Sequence, residues 1–455
     1  MSGHGNRQIQ NSTVEMISLS MKNILLLFFI SLAGFATAQE PDSLKSAGAL
    51  KQASDNFGTY TPGLGFKVVK TTKGDLNIKI FSYVRYLNQL GLNDSTTNAF
   101  GKTTGLDKRQ DVQLNKVNIQ FLGWLLDPRF RYIFYVWTNN TAQGLGAQVV
   151  IAGNLTYNFN KHFVLGAGVS SLPGVRSTEG NFPFWLTLDN RLIADEFFRP
   201  SYTMGFWADG MIVKKLNYSI MLGNNLSQLG VDAGQLDNSF NTLSAALTFF
   251  PTTGEFGKKS NFGDFEDHQK AATRLGIHYT RSDEDRQGQP DTEAFENVQI
   301  RISDGSVIFA PNLFGSGIQI EEVTYQMTCI DAGVKYHGLA LEGEYYWRIV
   351  NNLSGIGTEA LQFDHFSDNG FQLQGSGMLL PELLQLYSTC SKVFGEYGDP
   401  WEFRAGVNVY PWKNQVVRLN AEYIYQHQSP VGGLSVPYQV GNTGSIFHLD
   451  FMVNF

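Results

Sequence analysis

Arginine recurs beside acidic residues on alternating runs of this 455-residue chain. Arg85, Arg129, Arg131, Arg404 and Arg418 each fall on the polar side of such a run, and Arg176, Arg191 and Arg199 flank one irregular stretch, 172–200. A guanidinium is planar, permanently charged and able to grip two oxygens of a carboxylate or phosphate at once. Set in a ring around an aqueous path, such groups favour anions. The same groups could instead pair across a wall with Glu342, Glu344, Glu402 and Glu422. The stretch 172–200 is itself mixed, since it also carries Glu179, Asp189, Asp195 and Glu196. Pore-lining anion contact and internal ion pairing both remain open at this level.

Other chemistry is sparse. No G-x-S-x-G elbow, H-E-x-x-H pair or phosphate-binding loop appears. His278 and His448 are candidates only in principle for a barrel-borne hydrolase, so no enzymatic activity, cofactor or metal is expected. The segment Asp283-Glu284-Asp285-Arg286-Gln287-Gly288 faintly resembles a calcium loop, but Ala294 stands where the bidentate Glu belongs. Phe262 to His268 sets carboxylates beside one histidine, with no second histidine at metal spacing; turn chemistry is the expected role. Net charge is −7, which excludes a general basic field for nucleic acid.

The elements that must position these arginines are strands. Phe447, Leu449, Phe451, Val453 and Phe455 lie two apart, opposite His448, Asp450 and Asn454, and side chains two apart on a strand share a face. The grammar recurs along the chain. Leu76, Ile78, Ile80, Val84 and Tyr86 oppose Asn77, Lys79, Tyr83 and Arg85; Val117, Ile119 and Phe121 oppose Lys116, Asn118 and Gln120; Phe130, Tyr132, Phe134 and Val136 oppose Arg129 and Arg131. Leu126-Asp127-Pro128 is the tight turn between the last two. Later runs centre on Tyr218–Leu222, Leu243–Phe249, Leu275–Tyr279, Leu339–Trp347, Phe403–Val409 and Val417–Tyr425.

Composition decides which face is inside. Charged residues are 16%, aromatics 13%, and glycine reaches 47. Mean hydropathy is only −0.17, and no apolar run after residue 38 approaches the ~18 residues of a membrane helix. An apolar face diluted by polar lumen residues fits a membrane barrel. Tight turns (Pro411-Trp412-Lys413-Asn414) alternate with long polar loops (88–107, 283–296, 351–369), and aromatics crowd the strand ends. At roughly 24–28 residues per strand with its connections, an all-β, transmembrane antiparallel β-barrel of about 16 strands results. Cys329 and Cys390 sit in separate runs and are expected as free thiols.

The N-terminus fits export. Met21-Lys22-Asn23, the apolar Ile24–Leu32 and Ala36-Thr37-Ala38 make a secretory signal peptide cleaved after Ala38, with Met21 the expected initiator. Residues 1–38 are therefore expected to be removed, 39–73 to form a periplasmic leader, and 74–455 to form the barrel. The terminal Phe455 is the expected signal to the barrel-assembly machinery, and the destination is the outer membrane of a Gram-negative bacterium.

Several segments resemble the phosphate-selective porin O and P family. Asp127–Tyr132 resembles its early periplasmic hairpin. Gly166–Arg176 resembles the strand leaving for its inward loop, and Asn190-Arg191 through Phe198-Arg199-Pro200-Ser201 to Gly205 the return. Gly370–Gly375 and Leu380–Ser388 resemble its late hairpin, and Gly406–Tyr410 and Val417–Tyr423 its penultimate strands. The resemblance implies a 16-stranded porin, a homotrimer, passing small hydrophilic solutes by diffusion. Leu386 stands where the family commonly carries an arginine, so phosphate specificity is not carried over; a general or mildly anion-preferring porin is expected. The rivals are a closed structural or adhesion barrel and a secreted glycan-binding β-protein.

Overall fold

The alternation becomes a closed sheet. The computed structural model describes residues 59–61, 65–139, 148–179, 184–227, 240–258, 261–286, 300–432 and 437–455. The segments expected as signal peptide with its Ala38 site and as most of the leader, and the calcium-like loop beyond Arg286, lie outside them.

The strands are β1 (Thr59–Thr61), β2 (Gly65–Thr71), β3 (Gly74–Leu92), β4 (Ser95–Thr97), β5 (Thr103–Gly105), β6 (Gln110–Leu125), β7 (Asp127–Asn139), β8 (Gln148–Asn160), β9 (Phe163–Ser171) and β10 (Tyr202–Val213). They continue with β11 (Leu216–Gly223), β12 (Thr242–Phe249), β13 (Ala272–Asp285), β14 (Gln319–Tyr336), β15 (Leu339–Ile356), β16 (His365–Leu380), β17 (Leu384–Phe394), β18 (Trp401–Val409), β19 (Val417–His427) and β20 (Gly444–Asn454). Among the described residues, β3 and β6 to β20 close an antiparallel barrel of 16 strands, each paired with the next and β20 returning to β3. Closure removes both sheet edges. No helix among the described residues is long and apolar enough to cross a membrane.

The faces follow the expected parity. On β20, His448, Asp450, Met452 and Asn454 are buried inside, while Phe451 points outward and is half exposed. Leu247, Ile277, Leu341 and Phe403 share that outer, lipid-facing surface. Tyr157, Phe159 and Phe163 cluster at one rim, and Trp401 and Tyr425 pair at the other. This is where amphipathic rings meet a membrane interface. Both cysteines are free.

Three features differ from the sequence reading. Residues 59–61 and 65–71, read as leader, are a hairpin. β2 pairs with the start of β3 (Phe66 opposite Ile78) on the edge that β20 uses further along, and the Phe66 ring meets the Phe455 ring edge-on at 5.9 Å. Loops read as long are partly strand: β15 runs to Ile356, and residues 95–105 carry the small hairpin β4–β5. Finally, the inner wall is not uniformly polar. Towards the long-loop end, Tyr325, Met327, Tyr346, Val350 and Phe366 face inward and pack against Ile193, Phe197, Phe198, Ile302 and Phe309 from the connections. Apolar inner residues become favourable there because inward segments, not water, cover them.

Candidate functional site

Of the segment between β9 and β10, residues 172–179 and 184–201 fold into the barrel. Its base is cinched: Leu172 N donates to Ser201 O at 3.0 Å, and a Cβ on Gly174 would stand 2.3 Å from Pro200. Only glycine permits that approach. The loop then makes a 3-10 turn (Arg176–Glu179) and a short helix α1 (Ile193–Phe198), every residue of which is buried. Asp195 and Glu196 in its first turn suit the helix dipole. They also hold the loop's own arginines. Arg191 Nη1 is 3.3 Å from Asp195, and Arg199 makes a two-pronged contact with Glu196 at 2.8 and 2.6 Å.

The wall arginines reach this loop. Arg85 pairs with Asp450 (2.6 and 3.0 Å) and donates to Leu188 O at 2.7 Å. Arg404 pairs with Glu402 at 2.7 Å and donates to Asn190 O (3.1 Å) and Arg191 O (2.6 Å). Arg418 donates to Asn408 at 2.8 Å and to the carbonyls of Trp185 and Leu186. Arg176, on the loop, lies 3.5 Å from Glu342 and over the Phe262 ring at 4.7 Å. Arg129 and Arg131 stand apart, exposed at the short-turn rim, where Arg129 binds Asp127 of its own turn at 2.6 Å. The inward set is thus engaged with carboxylates and loop carbonyls. A charged guanidinium buried without such partners would be far costlier.

Sequence reasoning missed part of this network. Arg348 binds Asp368 at 2.6 Å and stacks on Phe197 at 4.0 Å. Arg274 bridges Asp331 and Glu179, both at 2.6 Å. Both lie on polar faces of alternating runs, which was the available signal. The two candidate histidines are held on both sides. His278 meets Asp331 and Pro173 O at 2.9 Å each, and His448 lies 2.7 Å from Glu422 and 2.9 Å from Asp450. These contacts tie both rings into the network of buried carboxylates and loop carbonyls.

A second inward segment comes from the opposite end. Residues 250–258 and 261–271 of the connection between β12 and β13 enter from the short-turn side, burying Phe256 and Phe262. Phe262 N donates to Phe184 O at 3.0 Å, Gly263 N to Glu342 at 3.0 Å, and Lys335 Nζ to Asn261 O at 2.8 Å. It therefore meets the loop 172–201 from below. The sequence placed Phe262–His268 in a turn; the inward path was not legible, because a segment without periodicity does not declare its direction.

This connection carries a pH-sensitive fastening. His268 Nδ1 is 2.5 Å from Asp264 and Nε2 is 3.1 Å from Glu255. Burial lowers the histidine's affinity for its proton, but hydrogen bonds to Asp264 and Glu255 outweigh it, so the pKa is raised above 6.5. A raised folded value means that the fastening contributes fully below the unfolded value and is lost as pH rises through the folded one. Hydrogen exchange at 250–271, corrected for intrinsic rate, should be faster at pH 9 than at pH 6. His268→Gln should abolish the difference. Equal protection at both pH values in the unmodified protein would contradict the assignment.

Between the two inward segments lies a cavity of about 430 Å³ against the inner face of β9 to β13, lined in part by Ser170, Arg176, Trp207, Asp209, Asn217 and Arg274.

No protein-family model matches this chain, and no curated protein matches it. Solved structures do match. An anion-selective porin from Comamonas acidovorans superposes with a TM-score of 0.52 at 8% identity, covering 84% of this chain and 100% of that one. OmpT of Vibrio cholerae gives 0.52 at 9% identity, over 85% and 99%. The channel DcaP of Acinetobacter baumannii gives 0.51 at 10% identity, over 86% and 99%. This chain shares the outer-membrane porin fold. At such identities the likeness is one of architecture. The resemblance to the phosphate-selective porin O and P family rests on the quoted segments alone.

Proposed function

We propose that the protein is a passive channel of a Gram-negative outer membrane, admitting small hydrophilic solutes through a lumen narrowed by residues 172–201 and 250–271. The observation that carries this reading is the inward loop itself, held across a barrel of 16 strands by Arg85, Arg404 and Arg418. A barrel of this strand number is wide enough for an aqueous path, so the fill decides its bore. An anion-selective porin and an outer-membrane channel that share the fold support it.

Anion preference is expected to be weak. Arg176, Arg191 and Arg199 each already face a carboxylate, and an entering anion must compete with it. In planar bilayers under a salt gradient, the folded protein should give stepwise currents and a reversal potential only slightly on the anion side. Marked cation selectivity would defeat that reading. A homotrimer, which the family resemblance implies, and recognition of Phe455 by the assembly machinery belong to the same proposal.

A closed structural barrel is the second reading, favoured by the apolar packing of Phe197, Phe198, Ile302 and Phe309 in the lumen. The same recordings separate the two, because a closed barrel gives no steps.

A further inference from the structure

The cavity between the inward segments differs from the rest of the lumen. At about 430 Å³ it falls in the ~300–1,000 Å³ range of small-molecule sites. Sheet register sets its wall. Asp209 lies opposite Ser219, and Met211 opposite Asn217; Trp207 lies between Gly166 and Met221. The indole covers Gly166, where a Cβ would come within 2.1 Å of the ring, so that glycine is what seats the tryptophan against the wall.

Two further observations point to a ligand. Elsewhere the inward polar side chains are mostly tied to one another. Among the described residues, the side chains of Ser170, Ser171, Asp209, Asn217 and Ser219 have no hydrogen-bond partner in the protein, although all line this cavity. The charges around it also balance. Arg176, Lys258 and Arg274 stand against Glu179, Asp209 and Glu255, with Arg274 and Glu179 in contact at 2.6 Å. An ion of either sign gains little from a balanced field. A neutral ligand bearing several hydroxyls gains more. Asp209 accepts, the Asn217 amide both donates and accepts, and the serine hydroxyls do either, while the indole offers apolar surface.

We infer that this cavity binds a neutral polyhydroxylated solute, a sugar of one or two rings, and that the channel favours such solutes over equally sized neutral ones lacking adjacent hydroxyls. This rests on the channel reading, and the test keeps the two apart. The full folded chain is reconstituted in liposomes and planar bilayers, with glucose and maltose as probes and polyethylene glycols of matched hydrodynamic radius as controls. Sugar entry is expected to exceed glycol entry severalfold, with sugar interrupting the ionic current at millimolar concentration. Asn217→Ala with Ser219→Ala, which leaves the charge unchanged, should raise the half-blocking sugar concentration roughly fivefold for the hydrogen bonds lost. Stepwise currents with equal entry of sugar and glycol would overturn the inference while leaving the channel intact. If no currents appear, the channel reading fails. Calorimetry on the detergent-folded protein then decides the site: sugar binding weakened by the double variant supports it, and no binding overturns it.

Discussion

Replacing residues 174–199 with a short glycine–serine linker should raise single-channel conductance by about threefold or more, since conductance follows the narrowest section of the path. The loop's ends already meet through Leu172 and Ser201 at 3.0 Å, so β9 and β10 can be joined without strain on the barrel. What is lost is the fill: α1, entirely buried, and the backbone at 185–191 that Arg85, Arg404 and Arg418 grip. Arg85 and Arg404 keep their wall carboxylates Asp450 and Glu402, so ion preference should change little while conductance rises. Heat-modifiable migration on a gel confirms that the variant barrel has closed. A closed barrel with unchanged conductance would show that the constriction lies elsewhere, either at 250–271 or among the connections packed at the long-loop end.

Arg404→Met tests the clamp from the wall side. Arg404 is fully buried and is held by Glu402 at 2.7 Å, with Glu422 at 3.9 Å. Its removal leaves a buried carboxylate without its cation, a change that costs about 3 kcal/mol or more. The midpoint of urea unfolding in detergent should fall accordingly. Because Arg404 also donates to the carbonyls of Asn190 and Arg191, the open-channel current should become noisier. Adding Glu402→Gln removes the stranded charge and should recover most of the stability. It should not recover the quiet current, because the loop contacts remain missing. An unfolding midpoint equal to that of the unmodified protein would refute the clamp.

The parts of the molecule differ in how far they could be read in advance. The outward face of β20 was legible in Phe447, Leu449, Phe451 and Val453, and the inward face in His448, Asp450 and Asn454. Arg404 and Glu402 share a face because they lie two apart, so their pairing could be anticipated. The partner of Arg85 could not. Asp450 is 365 positions away, and the two meet only because closure sets the last strand against the first. Arg418 donates to main-chain carbonyls of Trp185 and Leu186, which no residue type announces. The pairing of 59–61 with 65–71 was not legible because short strands carry too little alternation to register.

The sequence by itself determined the class of sheet, the outward and inward faces and a strand number near 16. These follow from the two-residue period of the extended backbone and from the match of an apolar face to lipid. Only the tertiary structure decided what fills the lumen. The loop 172–201 and the connection 250–271 have no period, and their inward course depends on the carbonyls, carboxylates and rings they meet there. Arginines placed by parity on a polar face thereby became the fasteners of an inward loop, because a buried guanidinium is stable only where several acceptors converge on it.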